Sequence, residues 1–167
     1  MDRFFLIVQD VNMGAFSLHY KRQNLNKPEE VEENAIQLFV KENQPQSSIY
    51  PDVLEKPLFI VSDEFKRIAQ LYNRQLQSSA VVITEGESQK VYWKLKTPIL
   101  DCLAEGTQFN HANLITDVVL KKDIVSGQSL FSISNRAQNL HIVRYDLAES
   151  LLRRNLVGFH LKEVKLW

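Results

Sequence analysis

The residue types of a thiol nucleophile site fall close together at one point of the chain: Cys102 beside Asp101, with Asn110-His111 a short distance on. A thiolate attacks an electrophilic carbon when an imidazole takes its proton and a carboxylate or amide orients that imidazole. Cys102 and His111 therefore define a candidate small cysteine-dependent hydrolase or transferase. The local context favours another role. Cys102 sits between Ile99-Leu100 and Leu103-Ala104, the setting of a small buried hydrophobe, and catalytic partners must meet in space rather than along the chain. The balance falls on a protein that is not an enzyme, with Cys102 and His111 as the catalytic alternative.

Other chemistries find less support. His19, His111, His141 and His160 are scattered, and no His-x-x-x-His or Cys-x-x-Cys pair anchors a metal shell. Gly14, Gly86, Gly106, Gly127 and Gly158 are isolated, so no phosphate-cradling loop is spelled out. No metal and no cofactor is expected. Twenty basic and twenty acidic side chains cancel, and Lys121-Lys122 and Arg153-Arg154 are pairs without interleaved aromatics. Neither nucleic acid nor an anionic membrane is an expected partner. Charge is graded along the chain, however: residues 1–57 carry 6 basic and 9 acidic groups, and residues 113–167 carry 8 and 5.

Recognition of another protein is the remaining class. Glu29, Glu30, Glu32 and Glu33 form an acidic surface suited to a basic partner, or simply a solvated helix start favoured by the helix dipole. Tyr92 and Trp93 are adjacent in an alternating segment, so one faces inward. Trp93 is assigned to the core and Tyr92 to a partner-binding surface.

These residues need elements to hold them. Residues 3–8 and 16–20 read as strands, and Pro28 with the glutamates and Val31, Ala35, Leu38 and Phe39 predicts a helix over 28–40. Pro45, Pro51 and Pro57, with glutamines and serines among them, predict a Pro/Gln/Ser-rich loop or hinge over 41–57. Leu58 to Val61 is a strand leading to Ser62 as N-cap of a helix with Phe65, Ile68, Ala69 and Tyr72 on one face. Residues 80–84 and 91–95 pair as a hairpin about Glu85-Gly86-Glu87-Ser88, while 97–113 fits a short helix, a strand or a loop. Strands follow over 115–120 and 130–133, with a turn at 123–127 between them. Then come a strand at 140–143, a helix opened by an Asp146/Glu149 capping box and stopped at Gly158, and a closing strand over 159–164.

The 167 residues suit one domain with one hydrophobic core, residues 1–167. A lone cysteine fits a reducing compartment. The five apolar residues Phe4 to Val8 fall short of a signal peptide's apolar core of roughly 7–15, so the expected location is the cytoplasm. The fold class is α+β, with a mixed, mostly antiparallel sheet and two or three helices. Overlaying residues 58–69 on 140–151 matches Leu58 with Leu140, Ile60 with Ile142, Val61 with Val143, Phe65 with Leu147 and Ala69 with Leu151. This is the pattern of a duplicated β-α-β unit covering one face of a shared sheet.

The stretch from Ile142-Val143 through Leu151-Leu152-Arg153-Arg154 and Gly158-Phe159 to Val164 resembles the C-terminal signature of small bacterial immunity proteins of polymorphic toxin systems. Asp117-Val118-Val119-Leu120, Leu130-Phe131-Ser132-Ile133 and Pro57-Leu58-Phe59-Ile60-Val61-Ser62 resemble the same family, so the likeness covers the last two thirds of the chain. These are strand, cap and stop positions, and no catalytic residue is carried over. The resemblance implies a compact cytoplasmic protein that binds a cognate toxin domain and occludes its active site.

Overall fold

Runs of β-branched and aromatic residues become strands, and the two stretches with apolar residues three and four apart become the longer helices. In the computed structural model, which describes residues 2–13, 17–20, 35–41 and 49–167, the chain begins with β1 (Phe4–Gln9), β2 (Leu18–Tyr20) and β3 (Ile36–Val40). β4 (Val53–Leu54) and β5 (Ile60–Val61) lead into α1 (Asp63–Tyr72), and β6 (Ser78–Glu85) turns back as β7 (Ser88–Leu95). A ribbon of β8 (Gln108–Phe109) and β9 (Ile115–Asp117) precedes β10 (Val119–Leu120) and the one-turn α2 (Lys122–Val125). The chain closes with β11 (Leu130–Ser134), β12 (Asn139–Arg144), α3 (Tyr145–Arg153) and β13 (Phe159–Leu166). The fold is α+β, with mixed, mostly antiparallel sheets and three helices among the described residues.

Two large sheets form instead of one shared sheet. One runs β10-β13-β1-β12-β11, the other β2-β3-β6-β7-β5-β4. In each, a helix connects two parallel strands that an antiparallel strand separates: α1 joins β5 to β6 around β7, and α3 joins β12 to β13 around β1. The two helices pack on each other. Tyr72 Oη donates to the Asp146 carbonyl at 3.0 Å and also shares a hydrogen bond with Ser150 Oγ. Side chains from both helices and both sheets, including Ile7, Val61, Phe65, Leu95, Val143 and Leu147, bury one another in a common core. Removing a side chain of this size from water is worth roughly 1.5–3 kcal/mol, so the shared core is the main bond between the sheets.

The predicted echo survives at the level of burial. Ile60 and Ile142, Val61 and Val143, Phe65 and Leu147, and Ala69 and Leu151 are all buried pairs at matching positions. Ser62 caps α1 as expected, its Oγ accepting from the Phe65 N–H at 3.2 Å. The start of α3 differs. Arg144 occupies the N-cap position without a side-chain cap, and Asp146 is held by both nitrogens of the Arg144 fork at 3.0 and 2.7 Å. Glu149 turns toward Arg153 at 2.6 Å, so the capping box is not made. Nor is Gly158 the helix stop: the left-handed residue after α3 is Asn155, at φ 53°.

Other expectations change with tertiary context. The end of the predicted helix over 28–40 is strand β3, whose Ile36 to Phe39 pair in parallel with Val81 to Thr84 and whose Leu38 is buried. Residues 28–34 lie outside the described residues. Of the predicted loop over 41–57, residues 42–48 also lie outside them. The remainder is fastened rather than loose: Pro51 is buried, and β4 pairs with β5. Asp52 binds Val157 twice, donating its N–H to the carbonyl at 2.8 Å and accepting the Val157 N–H on its carboxylate at 2.6 Å. The turn predicted over 123–127 is largely α2, and the undecided stretch 97–113 contains β8.

Candidate interaction surface

Residues 98–104 form a strap across the first sheet. At one end Pro98 and Leu100 hydrogen-bond to Ser132 of β11, and at the other Cys102 and Ala104 bond to Lys121 and Val119 at β10, the opposite edge strand. Cys102 is the inward peg of this strap. It is 0% exposed, packed in a cluster with Phe4, Leu120, Val125 and Phe131, and burial pushes its thiol up to about 11. His111 stands elsewhere, exposed in the turn between β8 and β9. Asn110 holds that turn by accepting the N–H groups of Ala112 and Leu114 at 2.9 and 3.0 Å, so its amide is occupied with the backbone. The structure does not bring the thiol and the imidazole together through any hydrogen bond. A protonated, enclosed sulfur is a poor nucleophile.

Trp93 packs against the core as expected, and Tyr92, expected on a surface, is buried as well. β7 is flanked by β6 and β5, and both of its faces meet packed side chains. Tyr92 points into the second sheet's own cluster, is 1% exposed, and donates its hydroxyl to the Pro51 carbonyl at 2.7 Å. Burial raises its phenol further above the ordinary tyrosine range. Trp93 is half-buried beneath α1, with Lys66 Nζ 3.4 Å from its ring centroid, a cation–π contact. Tyr92 is therefore a core residue and not part of a partner-binding surface. Glu29, Glu30, Glu32 and Glu33 lie outside the described residues.

A different set of residues meets where β1 begins and β13 ends. A depression of about 510 Å³ opens there, lined by Asp2, Arg3, Glu163, Val164, Lys165 and Leu166. Antiparallel pairing puts Phe5 opposite Glu163, and Arg3, two residues before Phe5, reaches that carboxylate diagonally across the two strands. Arg3 Nε and Nη2 donate to the two carboxylate oxygens of Glu163 at 2.7 and 2.9 Å, the planar fork-to-fork arrangement open to arginine. The same guanidinium lies 5.5 Å from the Phe5 ring centroid and 5.4 Å from that of Tyr145. The hydrogen bond from Arg3 holds the Glu163 carboxyl below the usual range, and Lys165, 2.6 Å from Asp117, does the same to that carboxyl.

Two large side chains stand close by, Tyr145 against Arg3 and Trp167 next in the chain to the lining residue Leu166. Tyr145 is 42% exposed, and Trp167, which follows Leu166 and is fixed by its N–H to the Leu120 carbonyl at 2.8 Å, is 70% exposed. Arginine, tyrosine and tryptophan are the side chains that most often carry the energy of protein interfaces. The lining holds two carboxylates, Asp2 and Glu163, and the second accepts both hydrogen bonds of the Arg3 fork. The depression was not legible in the sequence, because Arg3 lies more than a hundred residues from Tyr145, Glu163 and Trp167.

Among the described residues, no group of three His, Cys, Asp or Glu is placed to hold a metal ion, and no helix is long and apolar enough to cross a membrane. No protein-family model matches the chain, and no curated protein matches it.

Proposed function

We propose that this chain is a non-catalytic protein-binding module, acting as one domain in the cytoplasm, that neutralises a cognate bacterial toxin by occluding its active site. The observation that carries the reading is the depression between β1 and β13, where Arg3 is clamped by Glu163 against Tyr145 and Trp167 stands exposed nearby. A preformed surface of this kind contacts a partner at little ordering cost, since Arg3 already has one orientation. The resemblance of residues 57–62, 117–120, 130–133 and 142–164 to immunity proteins supplies the class of partner. The burial of Cys102 away from His111 weighs against the enzyme alternative.

Co-expression with a toxin domain drawn from a neighbouring gene tests the proposal. Growth should be restored, and the two proteins should elute as one complex. The reading fails if no complex forms, or if protection disappears in a Cys102→Ala variant whose folding is unchanged, as it would for a thiol enzyme.

A further inference from the structure

The two large sheets share a pattern beyond the crossover that the sequence echo marks. Taken from β3, the second sheet reads β3-β6-β7-β5-β4; the first reads β10-β13-β1-β12-β11. The sense of every pairing agrees. β3 and β6 are parallel, as are β10 and β13. The three remaining neighbours are antiparallel in both: β6 with β7, β7 with β5 and β5 with β4, against β13 with β1, β1 with β12 and β12 with β11. Chain order agrees as well. Strand, strand, strand, helix, strand runs β3, β4, β5, α1, β6 in one and β10, β11, β12, α3, β13 in the other. α2 lies in the second connection between β10 and β11.

Besides α2 and the added edge strand β2, the two copies depart at the last strand. In the first copy β6 turns at Glu85 to Ser88, with Gly86 at φ 59°, and returns as β7. In the second copy the place of β7 is taken by β1, more than a hundred residues away along the chain. Arg3 and Glu163 close this seam at the position where the other copy has its hairpin.

We infer that the chain is one five-stranded unit used twice, with the second copy closed by a strand taken from the opposite end of the chain. β1 is thus a clasp: the central strand of the second unit, its Phe4 seated edge-to-face on Phe131 with ring centroids 5.8 Å apart. The seam between β13 and β1 is equivalent to the β6–β7 turn, so the point at which the chain is open can be exchanged between them.

Two rearrangements of the full chain test this. In the first, Trp167 is joined back to Asp2 through a turn of about four residues without opening the chain elsewhere. In the second, the same joint is combined with new ends between Gly86 and Glu87. The circular form should unfold at a higher temperature than the linear chain, because the joint removes freedom only from the unfolded state. The reopened form should give the far-ultraviolet dichroism of the original and a single cooperative transition. A circular form that unfolds earlier than the linear chain overturns the equivalence of the seam. So does a reopened form that fails to fold while the circular form is folded.

Discussion

Gly158 and Pro51 approach so closely that a Cβ on Gly158 would stand 2.2 Å from Pro51 Cβ and 2.8 Å from Pro51 Cα. The contact fastens the turn before β13 to the strand entering β4, beside the paired hydrogen bonds of Asp52 and Val157. Gly158 also has φ 86°, a region that side chains disfavour. The two sheets are thus pinned by backbone as well as by the core.

Gly158→Ala should therefore destabilise the protein by about 2 kcal/mol or more, through collision with Pro51 and through backbone strain together. Chemical denaturation reads this directly. Gly86→Ala is the comparison: it has a similar φ of 59° but no atom within 4 Å, so it should suffer strain alone and lose less.

His141 should make stability depend on mild acid. Its ring stacks on Phe59 with centroids 3.6 Å apart, and burial lowers its pKa from 6.5 to about 4. Above about pH 6.5 the ring is neutral in folded and unfolded chains alike. Between there and pH 4 the unfolded chain takes up a proton that the folded one refuses, so stability falls as pH falls, by up to about 3 kcal/mol. The carboxyls of Asp63, Asp117, Asp146 and Glu163 are held low by cationic partners, so their contributions are lost only below their unfolded values of 3.8 to 4.5. Unfolding curves at pH 7 and pH 5 should separate for the native chain and draw together in His141→Phe; equal separation in both would contradict the assignment.

Much of the architecture was legible where local pattern and tertiary environment agree. Ser62 with Phe65, Ile68 and Ala69 announces a capped amphipathic helix, and Glu85 to Ser88 announces a hairpin; both form. Leu38 misled because its spacing from Val31 and Ala35 is helical, while Ile36, Leu38 and Val40 also alternate, and pairing with β2 and β6 decides between them. Tyr92 misled because alternation says which residues share a face, not which face is covered. The depression was invisible for another reason: the pairing of β1 with β13 spans nearly the whole chain and leaves no local trace.

Cys102 should behave as packing. With its thiol pushed up to about 11 and no exposed surface, it should resist a disulfide reagent at pH 8 in the folded protein and react within seconds once urea unfolds the chain. Rapid labelling of the folded protein would reopen the catalytic alternative.

Affinity for the proposed toxin partner in a set of variants around the depression tests the central claim most directly. Arg3→Ala, Tyr145→Ala and Trp167→Ala, each confirmed as folded, should weaken binding by roughly 10-fold or more apiece, as anchor residues do. Tyr92→Phe removes only the internal bond to the Pro51 carbonyl and should bind as tightly as the native chain. If the three variants bind unchanged and neutralise the toxin as before, the depression between β1 and β13 is not the surface that meets the partner.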